Sequence, residues 1–231
     1  MATKAPDTTV TQILYLTISP KHELGDVGTD AGKKWAQALD AIESSAGFRR
    51  LCWGRRVEIP EQVHVYTVRD DIAHNTAFLA SPLYSETFLP IITMLITGSP
   101  SDIKIRNAHL EHQVLSDPFG KELLGYPIGT AIYKGVDDAW HEGAWPLWTH
   151  VVRHVDGCMG IAGGEVVESV EGHDRSYLVF VGWETVKKHE DYHHTEHFQK
   201  HFIILNIGHK GYTEYGHVVF QGVREKSSSK L

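Results

Sequence analysis

Cysteine is scarce in this chain: 231 residues contain two, Cys52 and Cys158. Two isolated thiols cannot make a disulfide framework, so stability must come from a buried core, where both are expected as small hydrophobes. Long apolar runs are also missing. No stretch approaches the roughly 20 residues needed to span a bilayer, and residues 2–9 are polar where a secretory leader would be apolar. A soluble protein with no membrane partner is expected. Basic runs are absent too, and the formal net charge is -7, which argues against nucleic acid as a partner. There is no His-Glu-x-x-His metal motif and no strand-turn-helix nucleophile elbow. The glycines at 160, 163 and 164 follow a helix and precede a strand, the reverse order of a phosphate-binding loop.

What is present is an ordinary globular composition, 42% hydrophobic and 22% charged, that can bury a core. The length suits one large domain or two of about 115 residues. Histidine is the unusual residue. Five of the sixteen fall between His189 and His201, so their distribution is uneven.

The main organising feature is an internal repeat. Each half reads strand, helix, strand, strand, helix, strand. In the first, residues 13–18 form an apolar strand. Residues 30–46 place Trp35, Leu39 and Ile42 on one helical side, and Gly47 is the stop. Strands are predicted over 51–58 and 63–68, a helical region over 70–95 interrupted near Ser81-Pro82, and a closing strand over 103–110. In the second half a strand begins at 131–133 and a helix covers 138–155, stopping at Gly157. Strands follow near 164–168 and 177–183, then a helix over 185–207 and a last strand holding 217–220. The halves keep register. Trp35, Gly47 and Glu58 match Trp145, Gly157 and Glu168, each 110 residues on. After a longer second hairpin the offset becomes 114, and Val65, Tyr66, Tyr84 and Phe88 match Val179, Phe180, Phe198 and Phe202.

A βαββαβ unit is the ferredoxin-like motif, whose antiparallel sheet has one face without helices. A second unit can cover that face and close a barrel. The expected fold is therefore α+β: two tandem ferredoxin-like units forming an intramolecular α+β barrel. The predicted segments are a flexible start (1–10), a first half (11–115), a linker (116–128), a second half (129–222) and a tail (223–231).

Over residues 11–220 the chain resembles the dimeric α+β barrel superfamily, of the antibiotic-biosynthesis-monooxygenase type. The resemblance rests on Trp183-Glu184-Thr185 at a strand end, then Tyr192, then Thr195-Glu196-His197-Phe198. The first half keeps Ser81-Pro82-Leu83-Tyr84. The resemblance implies a pocket between sheet and helices, and a helix histidine serving as base or haem ligand. That histidine column falls on Tyr192 and Phe78 here, a departure from the pattern.

His189, His193, His197 and His201 are spaced four apart, so one unbroken helix would align them in a stripe. His193 and His197 could chelate a metal at i, i+4, but spacing supplies no third ligand, and no metal is assigned. Imidazole titrates near neutral pH and suits proton transfer. His193 and His197 are the first candidates for acid or base, His150 and Tyr133 the second, with His189 and His201 taken as outer positions. Trp148, Trp183, Tyr192 and His141 are candidate walls for a flat apolar ligand; core packing is the other reading for the tryptophans.

The expected activity is an enzyme without an organic cofactor, acting on an aromatic or polyketide-like small molecule. It would use histidine acid/base chemistry (cyclisation, dehydration, decarboxylation) or oxygenation. The alternatives are a non-catalytic, stress-responsive or ligand-binding barrel, and a haem-binding barrel; a homodimer is compatible with each.

Ser229-Lys230-Leu231 matches a peroxisomal address, which makes the peroxisomal import receptor an expected partner and the matrix the expected location. An N-terminally tagged fluorescent fusion is expected in puncta, and in the cytosol once Lys230 and Leu231 are deleted. Puncta that persist in the truncated form would reject the address.

Overall fold

The computed structural model describes residues 9–110 and 124–226. The address at Ser229, Lys230 and Leu231, most of the predicted linker and most of the predicted flexible start lie outside the described residues.

Among the described residues eight strands, numbered β1 (Val10–Thr17), β2 (Phe48–Arg56), β3 (Gln62–Arg69), β4 (Lys104–Leu110), β5 (Pro127–Lys134), β6 (Cys158–Val166), β7 (Ser176–Trp183) and β8 (Tyr212–Glu225), are hydrogen-bonded in the order β1-β3-β2-β8-β5-β7-β6-β4 of a closed barrel, with helices in each half. This is the α+β barrel of two ferredoxin-like repeats that the repeat predicts. The chain divides into two compact units. Of the described residues, one unit holds those up to Trp53, Glu61–His109 and those from Val223 onward; the other holds Gly54–Pro60 and those within Leu110–Gly222.

In the first unit, β1 (Val10–Thr17) pairs antiparallel with β3 (Gln62–Arg69) and β4 (Lys104–Leu110). Between β1 and β2 (Phe48–Arg56) runs α1 (Asp30–Glu43). Thr29 caps α1 by accepting the Gly32 N–H at 3.0 Å. The apolar stripe predicted for α1 is real: Trp35, Leu39 and Ile42 are buried against Leu14, Leu16, Val63 and Val65. Trp35 meets Trp53 edge-on at 5.2 Å. The predicted helical region 70–95 is broken where Ser81-Pro82 suggested. Helix α2 (Ile72–Leu79) ends there, a π-helical turn spans Leu83–Phe88, and α3 (Leu89–Thr93) follows.

In the second unit, β5 (Pro127–Lys134) lies between β7 (Ser176–Trp183) and β8 (Tyr212–Glu225), and β7 pairs with β6 (Cys158–Val166). A π-helical turn at Trp140–Ala144 leads into α4 (Trp145–Val152). Trp140, Trp145, Trp148 and Trp183 are all buried here with Tyr177 and Tyr192. Strand β6 starts at Cys158, about six residues before the predicted strand at 164. Its glycines have low strand propensity, which hides it from the sequence pattern. Gly47 and Gly157, the two predicted helix stops, sit at φ of 71° and 82°, a conformation that costs glycine little.

The predicted helix over 185–207 is not one helix. It is α5 (Val186–Tyr192), α6 (Glu196–His201) and a 3-10 turn (Phe202–Asn206). The break is at Thr195. Its hydroxyl accepts the Phe198 N–H at 3.1 Å and donates to the Tyr192 carbonyl at 2.8 Å, ending one helix and starting the next. The four-histidine stripe therefore splits into two pairs, with ring centroids 4.7 Å apart for His189 and His193 and 4.4 Å apart for His197 and His201.

Candidate active site

The second unit holds a linked carboxylate and two imidazoles. Glu58, just beyond β2, accepts the His217 backbone N–H at 2.9 Å on Oε2 and 3.1 Å on Oε1. Its Oε1 lies 2.6 Å from His217 Nδ1. His217 Nε2 lies 2.7 Å from His189 Nδ1. His217 is buried between a Glu58 side chain that is 40% exposed and a half-buried His189.

Local structure explains how the rings meet. His217 on β8 stands opposite Gly129 on β5. A side chain at 129 would begin 3.2 Å from His189 Cε1, so the glycine leaves room for the ring over the strand. Thr185 starts α5 by accepting the Lys188 N–H at 3.0 Å, which places His189 one turn in. There the ring stacks on Trp183, with centroids 4.5 Å apart and planes 14° from parallel. His193 on the next turn and Tyr215 on β8, 6.5 Å from His189, flank it.

Burial raises the Glu58 carboxyl, but the backbone and ring bonds from His217 together outweigh it and hold Glu58 below its usual value. An ionised Glu58 accepts the hydrogen bond from His217 Nδ1–H. The 2.7 Å contact is satisfied when His217 Nε2 accepts from His189 Nδ1–H, and in that arrangement His189 Nε2 keeps its lone pair. Burial first, then the neighbouring His217 and His193, push His189 down to about 3. It is a neutral acceptor at pH 7. A proton arriving at Nε2 can pass its counterpart from Nδ1 to His217, where the cation touches the Glu58 carboxylate. That is a general-base relay.

A stability consequence follows. An unfolded histidine binds a proton near pH 6.5, whereas folded His189 resists it down to about 3. Between those values the unfolded state holds more protons, so stability falls as pH falls. The maximal slope from one such group is about 1.4 kcal/mol per pH unit. His193 is lowered by burial and by His194 and His217, and works in the same direction. Denaturation at pH 7.0, 6.0 and 5.0 should show H189N losing less stability on acidification than wild type. Equal slopes would contradict a buried neutral His189.

Of the residues singled out from sequence, Trp183 and His193 stand at this relay. His197 is exposed, with Nδ1 3.1 Å from the Tyr192 hydroxyl. These two line a separate cavity of about 420 Å³ with His154, Asp156 and Lys188. Burial, followed by Cys158, raises the Tyr192 phenol to about 12. His150 is exposed beside His154, 5.7 Å away. Tyr133 packs on Trp140 at 4.4 Å, and burial raises its phenol. Trp148 is core, edge-on to Phe198 at 6.3 Å. His141 sits 3.4 Å from Glu165. Phe202, the repeat match of the buried Phe88, is 41% exposed on the 3-10 turn. Sequence reasoning missed Glu58 and His217 as site residues and took His189 for an outer position. Among the described residues no three His, Cys, Asp or Glu side chains are grouped to hold a metal.

No protein-family model matches the sequence, and no curated protein does. Solved structures do match. An anthrone oxidase-like protein is 13% identical, with TM-score 0.67 over 97% of this chain and 96% of that one. A provisionally assigned monooxygenase from Lactobacillus acidophilus is 13% identical, with TM-score 0.56 over 94% and 96%. A provisionally assigned chlorite dismutase is 11% identical, with TM-score 0.53 over 92% and 94%. These likenesses span both repeats and show the fold alone, an α+β barrel of two ferredoxin-like units.

Proposed function

We propose that this chain is an enzyme that removes a proton from an electron-rich aromatic or polyketide-like small molecule, with His189 as the base. The observation that carries the reading is the continuous 2.6 Å and 2.7 Å linkage of Glu58, His217 and His189. A structural histidine needs one partner. A relay ending at an unspent ring nitrogen, with its charge terminus at a carboxylate, has the form of proton-transfer machinery.

Oxygenation is the reaction this best supports. Loss of a proton from an anthrone-type carbon or its phenol leaves an electron-rich carbanion. Molecular oxygen takes the electrons, one oxygen atom stays as a new carbonyl, and the other leaves as water. An anthrone thus consumes one O₂ to give the quinone and one water. Trp183, 1% exposed, is covered by the His189 ring and fixes that ring's orientation. The likeness in fold to an anthrone oxidase-like protein makes an anthrone the first substrate to test.

The test is oxygen uptake with anthrone by the purified protein, compared with buffer. One O₂ per anthrone, at a rate abolished anaerobically and reduced in H189N, is expected. Conversion that continues without oxygen would favour cyclisation or dehydration by the same base. An intense Soret band in the purified protein would favour the haem reading instead.

A further inference from the structure

The first unit carries a different polar cluster at the matching positions. Arg69 and Asn75 lie 114 residues before Trp183 and His189, and Asn107 lies 110 before His217. Gln12 faces Asn107 across β1 and β4 as Gly129 faces His217 across β5 and β8. Arg69, Gln12 and Asn75 are at most 1% exposed.

The hydrogen bonds can be counted. Arg69 Nη1 donates to Asn75 Oδ1 at 2.8 Å and Gln12 Oε1 at 3.2 Å, and Nε donates to Ser45 Oγ at 3.1 Å. Asn75 Nδ2 donates to Asn107 Oδ1 at 2.8 Å. The side-chain amide oxygens of the cluster are thus all engaged inside it. What remains are donors: Arg69 Nη2 and Gln12 Nε2 are buried with no partner among the described residues. Both flank the same Arg69–Gln12 contact. The guanidinium sits 4.6 Å over the Phe78 ring, and no described carboxylate pairs with it.

A buried cation without a counter-charge is costly, and buried N–H groups without acceptors add to the cost. Burial lowers Arg69 to about 10, which leaves it charged at neutral pH. Positive charge with adjacent unspent N–H groups from a guanidinium and an amide is the chemistry that holds a carboxylate. We propose that the first unit contains an anion site at Arg69 and Gln12 that takes a carboxylate, either a small free ion or the acid end of a larger ligand. This site is independent of the relay in the second unit.

Thermal melting of the full-length protein tests it, with formate and benzoate as probes. Ionic strength is held constant with a bulky sulfonate. A saturable rise in Tm is expected, on the order of 5 °C or more at about 100 times the dissociation constant. A response to formate alone assigns a free ion, and a stronger response to benzoate assigns the end of a larger molecule. No response to either overturns the site. Q12E supplies an internal carboxylate beside Arg69. It should melt above wild type without probes and lose the response to both. A Q12E protein that keeps the full response would also overturn the proposal. The wild-type titration decides alone if Q12E does not fold.

Discussion

H189N is expected to lower turnover of a phenolic or anthrone substrate by about 10²–10⁴-fold, the usual contribution of a positioned general base. Asparagine keeps an amide where Nδ1 meets His217 and places nothing where Nε2 stands. The contact to the relay survives while the accepting nitrogen is lost. Stability should stay within about 2 kcal/mol of wild type, since the ring is at the edge of the core rather than inside it. E58Q keeps an acceptor for His217 but removes the charge that receives the relayed proton. It should cost less than H189N. The double variant should be no slower than H189N alone, because residues acting as one unit do not contribute additively. H197F, whose ring is exposed beside Tyr192, is the comparison and should retain most activity. Full activity in H189N would remove the relay from the mechanism. Additive losses in the double variant would separate Glu58 from it.

How much of this was legible in the sequence depends on the range over which each signal acts. The repeat was legible because Trp35 and Trp145, or Gly47 and Gly157, recur at one offset and do the same local job: a buried aromatic on the first helix and a left-handed stop after it. The strands with β-branched and aromatic runs were legible for the same reason. Strand β6 was not, because its glycines are set by what packs over them. The histidines show the limit most clearly. Spacing alone made a stripe of four, but Thr195 redirects the chain between the second and third. The competition between a capping hydroxyl and helix continuation is decided by tertiary packing. Glu58 and His217 are 159 residues apart and approach only through the tertiary fold. Glu58 did stand out in the sequence, as the partner of Glu168 in the repeat, but nothing local connected it to a histidine. The Trp183 motif lies beside the relay, and the ring that stacks on Trp183 is that of His189, one turn before the favoured His193.

Gly163 should be the position where a small change costs the most stability. It lies on β6 opposite Val179 of β7, beneath the tryptophan layer. A Cβ there would stand 2.6 Å from Trp145 Cζ2 and 2.6 Å from Tyr177 Cε1. Neither ring can yield easily. Trp145 is held against Trp140 at 6.2 Å and Tyr177 at 5.2 Å, and Tyr177 also meets Trp140 at 5.8 Å. G163V adds three carbons to this contact, so overpacking should cost about 3 kcal/mol, near the top of the usual range. The expected fall in Tm is roughly 6–12 °C for a chain of this size. G143A is the matched control. Its site, in the π-helical turn, has nothing within 4 Å of the added carbon. Alanine there should be neutral or gain up to about 1 kcal/mol through lost freedom in the unfolded chain. Urea denaturation with a shared m-value would measure both differences. A G163V protein within 1 kcal/mol of wild type would mean that the aromatic layer can shift as a body. The glycines of 157–164 would then need another explanation than the rings above them. The predicted loss would instead identify Gly163 as the residue that gives Trp145 and Tyr177 room over β6, next to the strand whose last residue, Trp183, supports His189.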